Sequence, residues 1–421
     1  MNNFRDDVTA NVRAALKQRT PLLPCLQALS WVCRGSSLRY LPCFASSMLS
    51  TVWLYPTSTW ILHDELRPPL VDLLRGLSDN SPNLRELSLT GFIMHEQTES
   101  VARDNLQQVA SLRALSVLSI DLRFVICPNT VQVLSGMPHL RSLYFSSLSE
   151  DPPPSRAFTA ARAGFDKLTC LTLAMSRGLT EMVLEALPPC GVTYVRMSTG
   201  PHGGVRHLAR LFGPTLASLE LACDVPAADA AEQMRAGVVA HLHLCGLTKV
   251  ILGFPHAHAV TDSLCGEMAA AWPRLQSLKL RRFPRMVDDG WTAGMATLEG
   301  LVPFAQRCPE LRELAINIDA SGSHWGAVAV GPTRSRLCTL DLAQSTVTAP
   351  EAVAEFVLRV FPELASLSCN YRRPLGPNED IEAMPENVSR RQMQKRVVAL
   401  QRARKRVCEQ PCFWYGEDRW A

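Results

Sequence analysis

Between Leu26 and Cys369 the chain repeats one stencil thirteen times: an apolar residue, two others, an apolar residue, one other, an apolar residue. The clearest copies are LRELSL from Leu84, LQSLKL from Leu275 and LRELAI from Leu311. LQALSW from Leu26, LSTVWL from Leu49, LSVLSI from Leu115, LRSLYF from Leu140 and LTCLTL from Leu168 follow the same rule. So do VTYVRM from Val192, LASLEL from Leu216, LTKVIL from Leu247, LCTLDL from Leu337 and LASLSC from Leu364. Start-to-start gaps run from 23 residues (Leu26 to Leu49) to 36 (Leu275 to Leu311). The second half of each hexad alternates with period two, which predicts a short strand.

Between hexads the apolar period changes to that of a helix. Before Leu364, Val353, Phe356, Val357 and Val360 fall at i, i+3, i+4 and i+7. Thr348-Ala349-Pro350-Glu351 has the spacing of a capping box with proline in the first turn, and Pro362 stops the helix after Phe361. A proline stands two residues before the first leucine in six of the thirteen hexads, at Pro24, Pro82, Pro138, Pro273, Pro309 and Pro362.

A helix, a stop and a short strand at a steady internal period describe one coil of a stacked array. The average gap of about 28 residues lies within the leucine-rich repeat range of about 20–29. The expected fold is α/β, a leucine-rich repeat solenoid of the right-handed horseshoe kind, with a parallel concave sheet and convex helices. An ordinary doubly wound sheet also alternates helices with buried strands. It does not repeat one hexad thirteen times, and no phosphate-binding glycine loop follows a strand here.

The expected organisation is a helical cap or linker over residues 1–20, with a helix candidate from Val8 to Lys17, then a solenoid of about 13 irregular repeats over 21–370. Residues 371–421 form a linker and a basic C-terminal helix and tail. A polar excursion, EDPPPSR, interrupts the array at 150–156. A solenoid exposes apolar surface at both ends unless something covers it, so both termini are candidate caps.

The 421 residues are 47% hydrophobic, enough for a continuous buried stack. The net charge of +4 argues against nucleic acid as the general partner. Eight cations without an intervening acid lie between Arg390 and Arg406, and taking those from +4 leaves about −4 for the rest. Fourteen scattered cysteines include no C-x-x-C pair, and the opening MNNFRDDVT is polar. These features point to a reducing compartment, cytoplasmic and/or nuclear. No stretch reaches the roughly 18 apolar residues of a membrane span.

A helix ending in Cys-Pro, as in LVPFAQRCPELRELAI (Leu301 to Ile316), combined with weakly regular repeats, resembles the leucine-rich repeat region of F-box proteins. The likeness covers roughly residues 21–370 and is greatest to the divergent set of mushroom-forming fungi. It implies a substrate-recognition arm of a cullin-based ubiquitin ligase, with the repeats holding a protein substrate and an F-box docking on a Skp-type adaptor. The leucine-proline-x-glutamate start of an F-box is not found in this chain. Either an F-box is missing from this sequence, or the chain is a relative that binds without recruiting a ligase.

If the hexad leucines face inward, the third and fifth positions and the residue just after the hexad face the concave side. Trp, Tyr and Arg most often anchor interfaces, which singles out Trp53, Tyr144, Tyr194 and Arg196, with Lys279 and Arg281 as further cationic candidates. Glu86, Glu220, Lys249, Glu313 and Asp341 complete the expected partner-binding face. The stretch from Arg196 to Arg281 is mildly basic apart from Glu220, which suits an acidic partner segment.

His241, His243 and Cys245, followed by His256 and His258, form the densest group of possible zinc ligands, but their spacing matches no recurrent motif. Cys408 and Cys412 are a weaker pair. No nucleophile elbow, P-loop, dinucleotide fingerprint or H-E-x-x-H is present. The expectation is a non-enzymatic protein-interaction scaffold with no metal and no cofactor. The alternative is an RNA- or chromatin-associated adaptor that uses the basic tail. In that tail Met393, Val397 and Leu400 are spaced to dock on the last coil.

Overall fold

The computed structural model describes residues 21–33, 35–56, 60–62, 67–90, 92–94, 99–121, 125–147, 158–161, 163–198, 205–222, 244–254, 260–282, 295–321, 333, 335–342, 345–368 and 392–399. The helix candidate at 8–17, the 150–156 excursion, the four histidines, Cys408 and Cys412 lie outside them. The chain forms two compact units, Met1–Pro226 with Ala236–Leu247, and Ala227–Arg235 with Thr248–Ala421. Each is a run of leucine-rich repeat coils, so the fold is an α/β leucine-rich repeat solenoid.

The first unit holds strands β1 (Ala28–Cys33), β2 (Thr51–Pro56), β3 (Trp60–Leu62), β4 (Glu86–Leu89), β5 (Phe92–Met94), β6 (Val117–Asp121), β7 (Ser142–Ser146), β8 (Cys170–Ala174), β9 (Tyr194–Ser198) and β10 (Ser218–Ala222). All but β3 and β5 pair in sequence order as a parallel ladder. The second unit holds β11 (Lys249–Phe254), β12 (Ser277–Arg282), β13 (Glu313–Ala315), β14 (Asp319–Ala320), β15 (Thr339–Asp341), β16 (Thr346–Val347) and β17 (Ser366–Ser368). Its ladder runs β11, β12, β13, β15, β17, again parallel.

Every ladder strand begins at the third residue of its hexad, and within each unit third positions pair with third positions. Backbone bonds just upstream set this register. In repeat after repeat the carbonyl of the second hexad residue accepts N–H bonds from the second and third residues of the next repeat. Gln27 accepts from Ser50 and Thr51, Arg85 from Ser116 and Val117, and Gln276 from Arg312 and Glu313. Hydroxyls reinforce the spine, since Ser50 and Ser116 donate to the same carbonyls and Thr193 donates to the Thr169 carbonyl.

The recurrent proline has a more specific role than a helix stop. In SPNL the Leu84 amide donates to the Ser81 carbonyl, and in CPEL the Leu311 amide donates to Cys308. Proline is thus the second residue of a four-residue turn, where its fixed φ is already correct. Hexads without proline make the same turn, as Leu115 does to Leu112 and Leu168 to Phe165.

In the eleven hexads from Leu49 to Leu342, all three stencil positions are buried, none more than 8% exposed. Helices α1 (Arg67–Asn80), α2 (Glu99–Ser111), α3 (Thr130–Ser135), α4 (Arg177–Ala186), α5 (Val205–Phe212), α6 (Asp262–Ala271), α7 (Val302–Arg307) and α8 (Pro350–Val360) lie between strands. Helix α1 buries Leu70, Leu73, Leu74 and Leu77, and α8 buries the expected Val353, Phe356, Val357 and Val360. A hydrophobic stripe at i, i+3, i+4 and i+7 must face the stack to leave water.

Some connections depart from the pattern. The first is a 3-10 helix, Gly35–Phe44, with Pro42 inside it. The short pairs β3–β5 and β14–β16 add two-stranded pieces that carry too few residues to show a period. The capping box expected at Thr348 does not form. Ala349 is the N-cap without a side-chain bond, and the Thr348 hydroxyl donates to the Ser321 carbonyl at 2.9 Å. Gly164 has φ +124, and a Cβ there would lie 2.4 Å from the Ser135 carbonyl oxygen, so only glycine fits.

Candidate partner-binding face

Parallel strands about 4.8 Å apart bring side chains at equivalent positions of successive repeats into rows. Leucines fill the inward rows, and the third and fifth positions fill the outward ones. Of the eleven residues expected on that face, ten have described side chains, and none of the ten is buried. Arg281 pairs through its backbone with Gly253 in the β11–β12 ladder; its side chain lies outside the described residues.

In the first unit, Trp53 on β2 donates its indole N–H to Glu86 Oε1 on β4 at 2.9 Å. Ser88, Trp53's register partner on β4, is only 9% exposed although its position faces outward. Further along, Tyr194 on β9 donates its hydroxyl to Glu220 Oε2 on β10 at 2.9 Å, and Arg196 Nε lies 3.5 Å from Glu220 Oε1. One carboxylate therefore holds a tyrosine and an arginine. Burial, and then the bond to Glu220 with its negative charge, pushes the Tyr194 hydroxyl well above the ordinary tyrosine range. Tyr144 on β7 is half-buried, and its pKa is also raised, mainly by burial, with the Arg196 charge opposing and Asp121 assisting. Thr172 lies between Tyr144 and Arg196 in the same row.

In the second unit, Lys279 Nζ lies 3.1 Å from Glu313 Oε2, which also accepts a bond from the Ser277 hydroxyl at 3.1 Å. Burial alone would raise the Glu313 carboxyl, but the Lys279 bond and charge, Ser277 and the field of Lys249 bring it below the ordinary value. Lys249 is exposed, and Asp341 is half-buried two strands beyond Lys279 in the fifth-position row.

No protein-family model matches the chain, and no curated protein matches it. Among solved structures it is similar to the leucine-rich repeat-containing protein LegL7 from Legionella pneumophila, at 10% identity and a TM-score of 0.41, over 88% of this chain and 98% of that one. It is also similar to the Rad7 and Elc1 complex in yeast, at 16% identity and a TM-score of 0.36, over 83% of this chain and 88% of that one.

The geometry corrects the reading of a mildly basic stretch. Arg196 and Lys279 each face a carboxylate on the next strand, because in-register pairing places Glu220 and Glu313 one strand away. In the first unit the outward face presents aromatic rings beside an ion pair, and in the second it presents the Lys279–Glu313 pair. Tyr55 was missed: it follows its hexad by one residue and is 40% exposed, a position that strand parity alone would have found. Among the described residues, no group of three or more His, Cys, Asp or Glu could hold a metal ion, and Cys245 is an exposed free thiol. No helix among them is long and apolar enough to cross a membrane.

Proposed function

We propose that this chain is a non-enzymatic scaffold whose outward strand face binds a protein partner, as the substrate-recognition arm of an F-box-type ubiquitin ligase. One observation carries the binding reading: Tyr144 on β7 lies two strands from Tyr194 and Arg196 on β9, across Thr172 on β8, with Tyr194 and Arg196 held by one carboxylate. Aromatic and arginine side chains fixed in advance on a rigid sheet lose little entropy when a partner covers them. The ligase role rests on the repeat pattern and the helix ending at Cys308-Pro309, and a Skp-type adaptor is the partner it calls for. The setting proposed is the cytoplasm or nucleus, where thiols such as Cys25 and Cys245 stay reduced.

The experiment compares partners captured by wild type with those captured by a Tyr144→Ala, Arg196→Ala double variant of unchanged thermal stability. A protein that purified wild type binds and the variant loses supports the reading; equal binding by both removes this face from it. Purified Skp-type adaptor tests the ligase role separately: co-elution with the product of the full gene supports it, and no co-elution with that product would end that part alone. The nucleic-acid alternative has less in its favour, because Arg396 in the basic tail faces Glu355 at 3.4 Å.

A further inference from the structure

Cations on the helices and the outward face of this chain repeatedly meet acids. Arg75 pairs with Asp72, Arg103 with Glu99, Arg177 with Glu181, Arg196 with Glu220 and Lys279 with Glu313. In the helix of residues 392–399, which buries Met393 and Val397, Gln394 donates to the Leu367 carbonyl on β17 and Arg396 pairs with Glu355. Four cations of the first unit differ. Arg85, Arg113, Arg141 and Lys167 are all exposed, and none of them has an ion pair among the described residues.

The repeat places these four along one edge, where the chain enters successive strands. Arg85 and Arg141 are second hexad residues, and backbone bonds join them in one row. The Ser116 amide donates to the Arg85 carbonyl at 2.7 Å, Arg141 to Ser116 at 2.7 Å and Thr169 to Arg141 at 2.9 Å. At about 4.8 Å per rung, the backbones of Arg85 and Arg141 stand about 10 Å apart. The Ser116 and Thr169 hydroxyls turn back onto the Arg85 and Arg141 carbonyls, which leaves the two arginines as the long side chains of the row. Arg113 holds the turn position that proline takes in SPNL, within the turn closed by the Leu115 amide on Leu112. Lys167 directly precedes Leu168, and its Nζ lies 3.3 Å from Nδ1 of exposed His139 on the coil before. The four entry segments, 81–86, 112–117, 137–142 and 165–170, contain two acids. Glu86 accepts the Trp53 indole bond, and Asp166 is exposed beside Lys167.

We propose that this strand-entry edge docks a short acidic segment of a partner protein. Guanidinium groups take carboxylates through two parallel hydrogen bonds, and the arginines here have no carboxylate of their own. The four coils span about 14 Å, which an extended segment of about five residues covers at about 3.3 Å per residue. Its alternate side chains fall on one side, so acids at every second position reach the edge together. Nucleic acid fits less well. Single strands are held by aromatic rings as well as cations, and the four entry segments expose no Phe, Tyr or Trp. Outside the tail the chain carries about −4, which opposes a long polyanion more than a short acidic segment. The edge is separate from Tyr144, Tyr194 and Arg196, so either site can fail without the other.

Fluorescence anisotropy on the full chain tests this, with a labelled polyglutamate of about eight residues as the probe, long enough to cross the four coils. At low salt the wild type is expected to bind it, and the Arg85→Gln, Arg113→Gln, Arg141→Gln variant to bind about tenfold or more weakly. The basic tail is present in both, so the difference reports on the edge alone. All three side chains are exposed, and an unchanged thermal melt checks that the fold survives. Lysine at the same three positions keeps the charge and is expected to restore binding. Equal binding by wild type and the glutamine variant overturns the proposal, as does a lysine variant that binds no better than the glutamine one. A single-stranded oligonucleotide of matched charge that binds more tightly than the peptide and loses to the glutamine variant also overturns it, since nucleic acid would then be the occupant.

Discussion

Leu278 and Lys279 are neighbours on β12 with opposite roles. Leu278 is 0% exposed in the apolar spine, and Lys279 meets Glu313 on the outward face. Leu278→Ala is expected to cost about 2–5 kcal/mol, and Leu278→Asp to unfold the neighbouring coils. Lys279→Ala removes a part-exposed ion pair on the outward face, worth about 1 kcal/mol. Thermal melts followed by circular dichroism separate these cases; equal losses would refute the inward and outward assignment. Tyr194 gives a pH test. Its folded pKa lies above its unfolded one, so its contribution is complete below about pH 10 and is lost as pH rises further. Tyr194→Phe should flatten the alkaline fall in stability, measured by denaturant titration at successive pH values. Glu313 works in the opposite sense: with its pKa lowered, its contribution is present above about pH 4.5 and lost below it. The thiols offer a third check. Burial raises Cys308 to about 12 and Cys190 to about 11, so iodoacetamide at pH 8 should label exposed Cys25 and Cys245 well before Cys308.

At the scale of elements, the hexads announced the strands because a leucine at positions one, four and six has one satisfactory environment. The α8 stripe was equally plain. Less legible were features that depend on which neighbouring backbone is within reach. Thr348 has a capping-box sequence, yet its hydroxyl bonds the Ser321 carbonyl of the preceding coil. Pro82 and Pro309 follow helix ends, as stops do, and the turn they share is closed by the amide of the leucine two residues on. Gly164 gave no signal until its φ and its approach to Ser135 were visible. Gly164→Ala should therefore destabilise by more than about 1 kcal/mol, unlike an ordinary loop glycine, and a denaturation midpoint would show it. Met393→Ala is expected to cost about 2 kcal/mol or more and to speed hydrogen exchange in Ser366–Ser368. No change in that exchange would mean the 392–399 helix protects nothing.

For the whole molecule the testable property is how a partner is held. If rings and paired charges on the strand face carry binding, affinity should fall modestly with salt. Binding through the tail cations to nucleic acid would fall steeply, by roughly 0.9 log units per log unit of salt for each phosphate contacted. Isothermal titration at two salt concentrations distinguishes them. The leucine-rich repeat architecture, the strand positions and the parity of Trp53, Tyr144, Tyr194 and Arg196 were all determined by the sequence. Each follows from a periodic pattern that only one packing can bury. Which outward residues meet was decided by tertiary structure alone. Glu220 joins Tyr194 and Arg196, and Glu313 joins Lys279, across gaps of tens of residues that strand pairing closes. The hexad pattern specifies how each coil folds, and contacts between coils appear only once the register between successive strands is set.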